Sequence, residues 1–236
     1  MRLNSRHYQL AALCIAAYLL AQIFQLICSV FLMPAPSGAD GELLAYLPRA
    51  AQVRDLLLIA TILAWIVPYA IIALRYRLIA PLPSMLGLIF GAAFIACEIS
   101  ARTFDFFVVG QHWAHELQAA GTDAERLTIL HHYSMWNELL AAWYFPLLLT
   151  QLLSSCAFAL ATSREPGFWQ HVATLGFALN ALRLTGRLLS QFAGQHWLDA
   201  LNSGAYFPSV LLIGGLLILW FLRLALAAAS TNDPIQ

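Results

Sequence analysis

The chain predicts an all-α, polytopic membrane protein built as a bundle of six transmembrane helices, and three observations carry that expectation. Only 10% of its 236 residues are charged and 61% are hydrophobic, whereas a soluble domain is nearer a quarter charged. Six apolar runs are each long enough to cross a bilayer, which takes roughly 20 helical residues. Prolines, glycines or polar clusters part those runs, and such residues end helices more readily than they continue them.

In chain order, the first span covers 8–33, behind Arg2 and Arg6 and ahead of Pro34 and Pro36. Its apolar length exceeds the ~7–15 residues of a cleavable signal, so it is expected to stay as a helix. The second covers 53–76. The third, 82–109, starts among Pro81 and Pro83, and the fourth covers 135–162. Pro166 and Gly167 precede the fifth at 168–191, and Gly204 and Pro208 surround the start of the sixth at 205–228. Residues 1–236 read as one integral membrane domain.

Arginine placement sets the expected orientation, because basic residues favour the cytoplasmic side. Arg2, Arg6, Arg75, Arg77, Arg164 and Arg223 fall on one side. Arg49 and Arg126 fall in loops on the other, with Arg54 at the outer start of the second span. Both termini are therefore expected in the cytoplasm, with the chain in the cell (inner) membrane. The outer segments 34–52, 110–134 and 192–204 are longer than the inner ones. Each holds a short amphipathic stretch, at 40–49, 112–120 and 196–202.

Gly110-Gln111-His112-Trp113 recurs as Gly194-Gln195-His196-Trp197, closing the third and fifth spans. Tryptophan and histidine suit the headgroup level. The echo reads first as an interfacial anchor and second as a duplicated hairpin.

Composition excludes several functions. All twelve basic residues are arginine, so no Schiff-base chemistry is open and no retinal can be held that way. The formal charge is zero, which leaves no basic surface for nucleic acid. Cys14, Cys28, Cys97 and Cys156 sit singly in apolar runs and read as packing residues.

The candidate site comes from charges where charges are expensive. Glu98, Arg102 and Asp105 are spaced 0, 4, 7, and Asn180, Arg183, Arg187 and Gln191 are spaced 0, 3, 7, 11. Each set occupies one helix face. A charge at the bilayer centre costs ~2.5–3.5 kcal/mol on insertion scales, so such groups need partners or water. The orientation puts Arg54, Asp55, Asn137 and Glu138 in the same outer half, with Tyr18, Gln22, Gln25 and Ser29 on the first span. Four arginines (54, 102, 183, 187) then balance four acids (55, 98, 105, 138).

One reading of that set is a closed network, with Glu98 on Arg102 and with Arg183 and Arg187 bridging to Asp105 and Glu138. The leading reading is a polar cavity open to the outer side, binding a small anionic, zwitterionic or lipid-like ligand. Arg102, Arg183 and Arg187 would clamp the negative group, since a guanidinium fork matches carboxylate or phosphate. Glu98, Asp105 and Glu138 would orient those arginines. Arg54, Asn137, Asn180 and Gln191 would complete the polar wall, with Trp136, Trp143 and Tyr144 on the apolar side.

The alternative is a membrane-embedded enzyme on a lipophilic substrate, with Glu98 or Glu138 as general acid or base. In one version a metal, or a haem, is held by His112, His115, His131 and His132, with His196 nearby, because imidazole and carboxylate suit zinc, iron or copper. No HExxH or paired haem-ligand spacing is present. A third reading is an accessory subunit, or a homo-oligomer, whose lipid-facing surface packs on a membrane-protein partner. Membrane lipid is the expected surrounding partner in every case.

Overall fold

The computed structural model of the protein describes residues 3–32 and 37–230; Arg2, Met33, Pro34 and Pro36 lie outside the described residues. The described chain is all helical, with no strand among its residues. Nine α-helices follow in order: α1 (Ser5–Ile27), α2 (Gly38–Leu44), α3 (Arg49–Ala64), α4 (Ile66–Tyr76), α5 (Pro81–Phe104), α6 (Ala114–Ala119), α7 (Asp123–Thr162), α8 (Phe168–Phe192) and α9 (Asp199–Ser230). A π-helical turn, Cys28–Leu32, extends α1, and a second, Asp105–Trp113, joins α5 to α6. A 3₁₀ turn, His196–Leu198, leads into α9.

Among the described residues, five stretches are long and apolar enough to cross a membrane: Ser5–Leu32, Arg49–Tyr76, Pro81–Ala119, Asp123–Thr162 and His196–Ser230. Helix α8 has the length, 25 residues, but Gln170, His171, Asn180, Arg183, Arg187 and Gln191 dilute its apolarity. The polar face that makes α8 interesting is what sets it apart from the other five.

Several boundaries differ from expectation, each for a local reason. The second run is interrupted at Trp65, between α3 and α4, where Pro68 has no N–H to continue the ladder back to Ala64. The third does not end before Gly110 but runs on through the π segment into α6. The fourth helix starts at Asp123 rather than 135. There Thr122 Oγ1 accepts the Glu125 N–H at 3.3 Å, and Glu125 Oε2 accepts the Thr122 and Gly121 N–H groups at 3.1 and 3.0 Å. This reciprocal capping box satisfies donors that would otherwise be orphaned. The stretch 196–202 is likewise no separate helix, because α9 begins at Asp199 and passes through Pro208. The stretch 40–49 splits, its first half in α2 and Arg49 opening α3.

The chain forms two compact units. One comprises the described residues up to Leu19, Ala64–Ile95 and Phe145 onward; the other comprises Leu20–Leu63 and Ala96–Tyr144. In the first, Tyr69 stacks on Phe158 at 5.4 Å, and Phe158 leans on Phe177 at the same distance. Gly87 and Gly91 of α5 lie against that stack, where an added Cβ would sit 2.6 Å from Phe158 and 2.5 Å from Tyr69. Ser154 Oγ donates to the Gly87 carbonyl at 2.8 Å. Small residues that let backbones approach are a common way for apolar helices to associate.

In the second unit the core gathers Leu43, Val109, Ala114, Leu117 and Tyr133. Helix α2 rests on α6 and on the π segment. Arg126 pairs with Asp40, so a charge from the start of α7 meets one on α2.

Candidate functional site

The polar residues singled out by spacing divide between the two units, and each group has its own character. Glu98, Arg102, Asp105, Arg54, Asp55, Asn137, Glu138 and Trp136 lie in the second unit; Asn180, Arg183, Arg187 and Gln191 lie in the first.

In the second unit the charges are paired at short range. Arg102 Nε donates to Glu98 Oε1 at 3.0 Å, one helical turn away, and Arg54 Nε donates to Asp55 Oδ1 at 2.7 Å. Asp55 and Glu98 are only 4% and 9% exposed. Asp105 accepts the Trp136 indole N–H at 2.8 Å, while Phe104 stacks on that indole at 3.9 Å. Trp143 donates to the Cys97 carbonyl at 3.1 Å. Asn137 and Glu138 are exposed. Below the Gly110 backbone sits Tyr46, whose phenol is pushed above its usual range by burial, with the Asp105 carboxylate adding to the shift. The Glu98–Arg102 and Arg54–Asp55 pairs are each made within one helix.

In the first unit the arginines of α8 are arranged differently. Asn180 on α8 donates to Ser155 Oγ at 2.8 Å, and its Oδ1 accepts from Arg183 Nη2 and Nε at 3.0 and 3.3 Å. Arg183 and Arg187, one turn apart, both approach the ring of Tyr206 on α9, at 5.6 and 5.7 Å. Within this unit, and among the described residues, neither arginine forms an ion pair with a carboxylate. Asp199, the nearest acid in sequence on α9, is engaged elsewhere: it takes the Ser190 hydroxyl and faces His196 Nδ1 at 3.3 Å.

Two hollows meet at this place. A polar one of about 280 Å³ is lined by Arg187, Ser190, Gln191, Asp199, Ser203 and the pair Asn202 and Tyr206. An apolar cleft of about 450 Å³ lies between α8 and α9, with Leu182, Leu189, Trp197, Leu201 and Leu212 on its walls and Arg183, Asn202 and Tyr206 beside them. Asn202 and Tyr206 belong to both. Gly186 permits the close approach, since Asn202 donates to its carbonyl at 3.1 Å and an added Cβ would meet Asn202 Oδ1 at 3.1 Å. A cationic head beside a long apolar slot suits an amphiphile with a negative end.

Sequence reasoning missed the α9 wall: Asp199, Asn202 and Tyr206. Their spacing of 0, 3, 7 puts them on one helix face, but the sequence parts 196–202, as a short amphipathic stretch of the outer segment, from a sixth span at 205–228, whereas α9 runs unbroken from Asp199. His112 faces Glu116 at 3.5 Å, His131 and His132 have ring centres 6.5 Å apart, and His132 neighbours Trp113 at 6.0 Å. Among the described residues no three His, Cys, Asp or Glu side chains are grouped as metal ligands would be.

Fold and composition together define the class: an all-helical membrane protein, with five helical stretches among the described residues able to span a bilayer. No protein-family model, curated protein or solved structure matches the chain.

Proposed function

We propose that this protein binds an amphiphilic, lipid-like ligand, with the anionic or zwitterionic head at Arg183 and Arg187 and the apolar chain in the α8–α9 cleft. The observation that carries the reading is the pair of guanidinium groups on one tyrosine ring, without a carboxylate partner among the described residues of their unit, where a polar hollow meets an apolar slot. In this reading α8 is the fifth span of a six-helix bundle, tolerated because its polar face looks onto α9 and a ligand. The arginine distribution supports cytoplasmic termini and an inner-membrane setting, with α2 and α6 as short helices of the outer loops.

The acid–base alternative has less support, since Glu98 is held by Arg102 and Glu138 is exposed away from any grouped partners. The test uses dodecyl phosphate against dodecyl maltoside, the same chain with a neutral head, on the purified protein in detergent. Dodecyl phosphate should raise the melting temperature of the wild type and lose that effect in Arg183→Gln and Arg187→Gln, both still monodisperse. An equal rise in wild type and variants would overturn the reading.

A further inference from the structure

At another place in the first unit, sharing no lining residue with the α8–α9 site, α1, α4, α8 and α9 line an open hollow of about 380 Å³. Tyr8, Arg75, Trp169, Gln170, Arg223 and Leu224 are on its walls. Arg75 is fixed from two sides: Nη2 donates to Glu165 Oε1 at 2.6 Å and Nη1 to the Tyr8 hydroxyl at 3.3 Å. Its Nε is shielded from solvent and has no hydrogen-bond partner. Glu165 cancels the Arg75 charge, so the charge left over belongs to Arg223.

Arg223 interrupts the apolar run of α9 between Leu222 and Leu224. An arginine in such a run persists where it meets water, a headgroup or a counter-charge. Among the described residues it forms no ion pair, and it lines the hollow. Trp169, on the first turn of α8, brings an amphipathic ring of the kind that settles at headgroup level. The Arg75 guanidinium, the Arg223 cation and the Gln170 amide thus border one space. Guanidinium groups bind phosphate oxygens through forked, charge-assisted hydrogen bonds.

We infer that this hollow is a second, separate anion site that takes a phosphate-bearing group between Arg223 and Arg75, supplied by an anionic phospholipid headgroup or by free phosphate. The experiment uses the full chain, delipidated in detergent. One arm measures phosphatidylglycerol against phosphatidylcholine retention by native mass spectrometry. The other measures the melting temperature with inorganic phosphate against chloride at matched ionic strength.

If the source is lipid, the wild type retains phosphatidylglycerol preferentially, Arg223→Gln weakens retention by about tenfold, and Arg223→Lys falls between them. If the source is free phosphate, the lipid arm is flat, and phosphate raises the melting temperature of the wild type but not of Arg223→Gln. Arg77→Gln, an exposed arginine that lines neither this hollow nor the α8–α9 site, should leave both arms unchanged, and the loss in Arg223→Gln should recur in an Arg187→Gln background, which separates this site from the cleft. Wild type and Arg223→Gln behaving alike in both arms would overturn the inference.

Discussion

The guanidinium carbon of Arg187 stands 5.7 Å from the centre of the Tyr206 ring, and that ring is already approached at 5.6 Å by Arg183. Two like charges therefore share one aromatic side chain, and among the described residues of their unit no carboxylate pairs with either. The negative potential of an aromatic face offsets part of that repulsion. An anion placed between the two arginines would offset much more. Tyr206 is in this view a spacer that holds the pair in position for a guest.

That role predicts a split between two substitutions. Tyr206→Phe keeps the ring and should bind dodecyl phosphate nearly as the wild type does. Tyr206→Ala removes the face that orients both arginines. It should weaken binding by about 2- to 30-fold, the range given by a cation–π contribution of ~0.5–2 kcal/mol. Titration calorimetry in detergent checks this, and identical affinities for the Phe and Ala variants would show that the ring does not position the site.

Charge neutralisation should have opposite effects in the two units. Arg187→Gln relieves a like-charge contact and should leave the ligand-free melting temperature unchanged or raise it, while ligand binding falls. Arg102→Gln strands the Glu98 carboxylate, which is 9% exposed and has Arg102 as its ion-pair partner. It should lose about 1–3 kcal/mol, the cost of a buried group left unsatisfied. Such opposed signs are expected when one group serves function and the other structure. Thermal melts of the two variants, side by side without ligand, decide the matter; a loss of the same size in both would make Arg187 a structural residue.

The sequence made some of this plain and hid the rest for physical reasons. Glu98 and Arg102 were legible because an i, i+4 pair is decided within one helix turn. The asparagine–arginine face of α8 was legible for the same reason. The early start of α7 was written in Thr122-Asp123-Ala124-Glu125, a capping box, but its charges resemble those of a loop and hid it. The partners of Arg183 and Arg187 were not legible. A balance of four arginines against four acids counts charges without saying which of them share a unit. Tyr206 and Asn202 escaped notice because the helix that aligns them begins at Asp199, inside what read as an outer loop.

The glycines of α5 supply a prediction about packing alone. A Cβ on Gly91 would lie 2.5 Å from Tyr69 Cδ2, and Tyr69 is 5% exposed, stacked on Phe158 and tilted against Trp65 at 5.4 Å. With Phe158 and Trp65 both against it, the buried ring has little room to swing, so the helices must part. Gly91→Ala should therefore cost about 1–3 kcal/mol, as overpacked cores do. On α9, a Cβ at Gly214 would come equally close, 2.7 Å from Leu19 Cδ2. Leu19 is only half-buried, and its methyl groups can move by a change of rotamer, so Gly214→Ala should cost less than about 1 kcal/mol. Distance to the nearest atom would rank the two sites alike; the freedom of that atom ranks them apart. Thermal melts of both variants in one detergent measure the difference, and Tyr69→Leu in the Gly91→Ala background should recover part of the loss. Equal losses at the two glycines, or no recovery on trimming Tyr69, would mean that the aromatic stack is not what holds α5 close.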